Sequence, residues 1–123
     1  MRAIQPLAEQ ATKRIYERDP SLLDRYGDQG KTKCYEDNVH HFRQLHSAYE
    51  LKKAAFFIDY AVWLNGILSK HGMNEQHLID NFEIMKEVLT ASSQVEEEAL
   101  PVYKTFLNQA ISELTGQSDK GDD

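Results

Sequence analysis

Cys34 and Asp37 stand three residues apart, with Lys31 and Lys33 just before the cysteine. On a helix, positions i and i+3 project to the same side, so a ligand lying there would meet a nucleophilic sulfur and a carboxylate together. Near a helix start, the backbone dipole and the Lys31 or Lys33 ammonium group would lower the thiol pKa. Asp37 and His41 share a face at i, i+4, whereas no two of the five histidines (His40, His41, His46, His71, His77) have that spacing. The histidines therefore offer no helical pair for a metal; one imidazole suffices for a haem, but no spacing selects which. The ordinary alternative is a small buried thiol beside a surface carboxylate, with the histidines at the surface or half-buried.

Other catalytic signatures are missing. Gly27 and Gly30 lack the third glycine of a dinucleotide fingerprint, and no Lys-Ser/Thr step of a P-loop follows them. No diagnostic Ser-His-Asp or Cys-His arrangement is visible, and a lone cysteine excludes an intrachain disulfide and a multi-cysteine zinc site. The expectation is a protein without enzymatic activity.

The elements that would hold these residues are helical, because apolar side chains recur at three- and four-residue intervals and no alternating run is bounded by hairpin turns. Ile4, Leu7, Ala8, Ala11 and Ile15 form a stripe that ends at Asp19-Pro20. Ser21 to Tyr26 reads as a short helical turn, and Gly27 to Gly30 as a loop. A second long helix is predicted from Thr32 to about Leu51, carrying Cys34, Asp37 and His41. Residues 54–68 are apolar nearly all round, including Phe57, Tyr60 and Trp63, which predicts a central buried helix. Gly72 marks the end of that helix and Asn74 the start of the next, whose apolar face is Leu78, Ile79, Phe82, Met85, Val88 and Leu89. Ser93 to Glu96 reads as a capping box, and Pro101 as a kink in the helix it opens. The expected organisation is one helical domain over residues 1–115 and a polar, disordered tail over 116–123.

Composition narrows the setting. Fourteen Lys and Arg against twenty Asp and Glu give a net charge of −6, which repels phosphate backbones and anionic headgroups. No apolar run reaches the roughly 18 to 20 residues of a bilayer span. No basic segment leads into an apolar stretch as in a secretory signal. Nucleic-acid binding and membrane insertion are thus not expected, and a cytoplasmic location is.

The block Gln29-Gly30-Lys31-Thr32-Lys33-Cys34-Tyr35-Glu36-Asp37, continuing to His40-His41-Phe42-Arg43, resembles the phycobiliproteins, the helical globin-fold light-harvesting subunits that carry linear tetrapyrroles. In that family the bilin-attaching cysteine is followed three residues later by an aspartate that contacts the pyrrole nitrogens and nine residues later by an arginine; Cys34, Asp37 and Arg43 keep this spacing. Ile15-Tyr16, Tyr26, Ile58-Asp59-Tyr60, Leu64-Asn65-Gly66-Ile67 and Met85-Lys86 extend the likeness over about residues 11–114. Glu36 departs from it, standing where the family has an arginine that pairs with a propionate, and His40 and His41 replace an aromatic pair.

The resemblance implies an all-α, globin-like (phycobiliprotein-like) domain lacking the family's N-terminal helical pair. It implies a linear tetrapyrrole (bilin) held by a thioether to Cys34, with Asp37 on the pyrrole N–H groups, Lys31 or Lys33 at a propionate, and His41, Tyr60 and Trp63 around the chromophore. The function expected from it is noncatalytic tetrapyrrole binding or sensing. The alternative on the same fold is a ligand-free interaction or regulatory module whose pocket is filled by Phe42, Phe57 and Trp63. Assembly into a homo-oligomer, or with a helical protein partner, is expected in either case, because apolar surface left by two missing helices would need a cover.

Overall fold

The structure is a computed structural model that describes the backbone of residues 3–120 and the side chains of residues 3–116. It consists of five helices: α1 (Ile4–Arg18), α2 (Ser21–Leu51), α3 (Ala54–Lys70), α4 (Glu75–Ala91) and α5 (Leu100–Lys120). Among the described residues there is no strand, and no helix is long and apolar enough to cross a membrane. Each helix packs beside the next in a closed ring, α1 on α2, α2 on α3, α3 on α5, α5 on α4 and α4 back on α1, with α2 also touching α5 across the middle.

The periodic stripes become the core. Leu7, Ala8 and Ala11 of α1 share one core with Val39, Phe42, Leu45 and Ala48 of α2, Phe82, Met85 and Leu89 of α4, and Leu107, Ala110 and Leu114 of α5. The ring is fastened at its edges by polar contacts: Arg14 and Arg18 of α1 both reach Glu87 of α4, and His46 of α2 meets the Tyr103 hydroxyl of α5 at 2.9 Å.

Helix ends follow from local chemistry. Asn74 caps α4 by accepting a hydrogen bond from the Gln76 amide at 3.0 Å, and Gly72 just beyond α3 takes φ +83, as the turn there requires. Four expectations are corrected. Only Gly27 interrupts the second helix, at φ 66 and ψ −166; Asp28, Gln29 and Gly30 are helical, so the helix reaches back past Thr32 to Ser21. Residues 92–99 form turns, with Ser92 rather than Ser93 accepting from the Gln94 amide, so the capping box opens no helix. Pro101 consequently lies in the first turn of α5, where its missing N–H would have no helical partner, and it produces no kink.

The fourth correction concerns α3. Its apolar composition predicts a central position, yet only Phe57 and Ala61 are buried on it, and Trp63 is 62% exposed. Five helices in a ring enclose a core of side chains and leave no site for an enclosed helix; each must turn one side outward. At the other end of the chain, α5 continues through the polar stretch after Gly116 as far as Lys120, and residues 121–123 of the expected tail lie outside the described residues.

Candidate functional site

The residues singled out from the sequence fall on α2 and α3, and the fold divides them between two environments. Cys34 faces α1. Its thiol is half-buried near Thr12, and the Asn38 side-chain amide donates to its carbonyl at 3.0 Å, with the sulfur 3.7 Å from the same nitrogen. Burial pushes the thiol above its ordinary pKa; hydrogen bonding from Thr12 and Asn38 offsets part of this, and the Asp37 carboxylate adds to it. The expectation of an acidified thiol is therefore corrected. Cys34 lies about two turns beyond the Gly27 break, where the helix dipole has faded. Neither lysine serves the sulfur: the Lys33 ammonium is 3.3 Å from Asp37, and that of Lys31 lies over the Tyr16 ring, 5.7 Å from its centre.

Asp37 and His41 face α3 instead, as their i, i+4 spacing allows. His41 is buried, and its Nδ1 is 2.8 Å from the Tyr60 hydroxyl. Burial holds its imidazole neutral, with a pKa lowered from 6.5 to about 3, and the neighbouring His40 contributes in the same direction. Burial and the Asp37 charge raise the Tyr60 phenol well above the usual range, so the hydroxyl stays protonated. The His41 ring lies edge-on to both Tyr60 and Phe82 at about 5.9 and 5.8 Å between centres. Phe57 and Phe82, 5.2 Å apart, fill the space beneath. Trp63 sits one turn outward of Tyr60, with ring centres 6.3 Å apart, and projects from the surface.

Concave surface is found elsewhere. An open groove of about 550 Å³ runs between α3 and α5, bordered by Ile58, Asn108 and Ser112, and a smaller one follows α1 past Lys13 and Arg14. Cys34 and Asp37 border neither.

Asn38 and Asn81, absent from the expected site, form the best-made polar contact of this region. Each amide donates to the other's carbonyl, at 3.1 and 2.7 Å, joining α2 to α4. Asn38 is fully buried. The signal was present in the sequence as an asparagine directly before Val39 and another directly before Phe82, polar residues at the border of two apolar stripes.

The arrangement thus supplies a protonated thiol packed against α1, a neutral His–Tyr pair inside the α2/α3 seam, and an outer face on α3 that exposes two large aromatics beside charged residues. Phe56, Asp59, Trp63 and Gly66, at i, i+3, i+7 and i+10, are all exposed along that face. Comparison of the chain with protein-family models, with curated proteins and with solved structures finds no match in any of the three.

Proposed function

We propose that this protein is a noncatalytic helical interaction module whose docking surface is the outer face of α3. The observation that carries this reading is the exposure of Trp63 (62%) and Phe56 (38%) on the most apolar helix of the chain. A tryptophan held in water on a helix surface gains most when an incoming surface covers it, and large aromatics dominate the energetics of protein interfaces. Of the side chains expected to border a pigment, several have partners within the chain: Asp37 with Lys33, Lys31 with Tyr16, and His41 with Tyr60. Phe42 and Phe57 are buried in the core.

The test is site-specific photocrosslinking in cells. Benzoylphenylalanine replacing Trp63 should give adducts of discrete mass, and the same group replacing Glu9 on α1 should not. Equal labelling from both positions, or none from either, would refute the α3 docking surface.

A second reading keeps the globin-like, phycobiliprotein-like assignment and a covalently held bilin. What favours it is that Cys34 and Asp37 sit one turn apart on α2, with the sulfur only partly covered. Coexpression with bilin biosynthesis tests it: a coloured protein of increased denatured mass, lost in Cys34→Ala, is the expected result, and a colourless protein of unchanged mass removes the reading.

A further inference from the structure

Resting on the reading of α3 as a docking surface, we infer that its occupant is the same face of a second copy of this chain. The two α3 helices run antiparallel about a two-fold axis midway between residues 64 and 65. In that register a residue faces the one whose number, added to its own, makes 129.

Two features of the exposed surface agree with this register. Trp63 meets Gly66, a large knob opposite a gap: nothing lies within 4 Å of where a Gly66 Cβ would stand. Asp59 meets Lys70, and among the described residues neither side chain has an ion-pair partner within the chain. A two-fold axis makes each contact twice, so one tryptophan, one glycine and one acid–base couple per chain yield two knob-and-gap contacts and two ion pairs. A shift by one residue would rotate these positions out of opposition, because neighbours on a helix are about 100° apart.

The 17 residues of α3 span about 25 Å. A single helix face of that length is smaller than the ~800 Å² per partner of a standard stable interface. The dimer is therefore expected to form at micromolar or higher chain concentration.

The experiment is sedimentation equilibrium of the full chain over a concentration series reaching several hundred micromolar. The expected result is a rise from 14.2 kDa towards twice that mass. Asp59→Lys and Lys70→Asp should each weaken the dimer by roughly tenfold or more, by placing like charges opposite one another twice. Combining them restores the opposition of unlike charges and should recover most of the affinity. Gly66→Leu, which improves helix propensity, should fill the gap and abolish association while circular dichroism stays unchanged. In a Cys34→Ala background, mixed chains carrying Asp59→Cys and Lys70→Cys should form the mixed disulfide in preference to either symmetric one, since like positions lie about 16 Å apart along the pair.

A chain that stays monomeric throughout overturns the second-copy inference. If crosslinking at position 63 then still yields discrete adducts, the docking surface stands with a different occupant; if it yields none, both fall. A dimer indifferent to the charge reversals and to Gly66→Leu, or one giving symmetric disulfides, overturns the register.

Discussion

Asn38 and Asn81 exchange two hydrogen bonds across the α2/α4 seam, and Asn38 has no access to water. Asn81→Ala would leave the buried Asn38 carbonyl without a donor while its amide keeps the Cys34 carbonyl, and Asn38→Ala would strip the half-buried Asn81 of both bonds; losses of this kind cost about 1–3 kcal/mol. Asn38→Ala and Asn81→Ala should therefore each destabilise by that order in urea denaturation. The double variant should lose less than the sum; strict additivity would show that the two amides do not act as a couple. His41 makes a different claim. An unfolded chain protonates this imidazole near the ordinary value of 6.5, whereas the folded chain keeps it neutral down to about 3. Below 6.5 the unfolded state thus holds the extra proton, and stability falls on acidification by up to about 1.4 kcal/mol per pH unit, until the folded imidazole also protonates. The stabilising contribution is complete above pH 6.5 and absent below about pH 3. Between pH 7 and 4.5 the urea midpoint of the wild type should drop more steeply than that of His41→Phe; parallel curves would mean that His41 is not held neutral.

The helices themselves carry two backbone exceptions. Gly27, at φ 66 and ψ −166, turns the short lead segment of α2 into the long one, and only glycine adopts that combination readily. Gly27→Ala should cost on the order of 1–3 kcal/mol although no neighbouring atom obstructs the methyl group. Lys52 closes α2 in the left-handed conformation at φ 57, a post at which glycine is favoured. Lys52→Gly should therefore stabilise the protein by roughly 0.5–1 kcal/mol, the relieved strain exceeding the added chain entropy; a lower melting temperature would contradict this. These posts also explain what could be read in advance. The stripes on α1 and α4 and the Asn74 cap were legible, since each depends on neighbours within one or two turns. Asp28 to Gly30 were not, because turn-prone residues continue a helix when the long segment that follows is anchored by Phe42 and Leu45 in the core. Cys34 and Asp37 were rightly placed one turn apart on α2. That they serve different neighbours, Thr12 on one side and Tyr60 on the other, depends on where α1 and α3 pack, and local spacing is blind to that.

At the level of the whole molecule, the ring of five helices distributes its cohesion unevenly. α4 buries Leu78, Phe82, Ile84, Met85, Val88 and Leu89, whereas α3 buries only Phe57 and Ala61 and turns its remaining apolar residues partly or wholly to water. A helix with so little of its surface in the core opens at lower free energy than its neighbours, since local stability follows local burial. Hydrogen exchange should accordingly find α3 amides less protected than those of α4 in dilute solution. Binding linkage then separates the readings of the α3 face: a surface covered by a second copy gains protection as protein concentration rises, while α1, on the opposite side of the ring, does not. The expected pattern is slower exchange across Ala54–Lys70 at several hundred micromolar than at a few micromolar, with α1 unchanged. Gly66→Leu should erase that concentration dependence. Protection of α3 equal to that of α4 at every concentration would mean that this helix is as firmly held as the core, and that its exposed tryptophan reflects no missing cover.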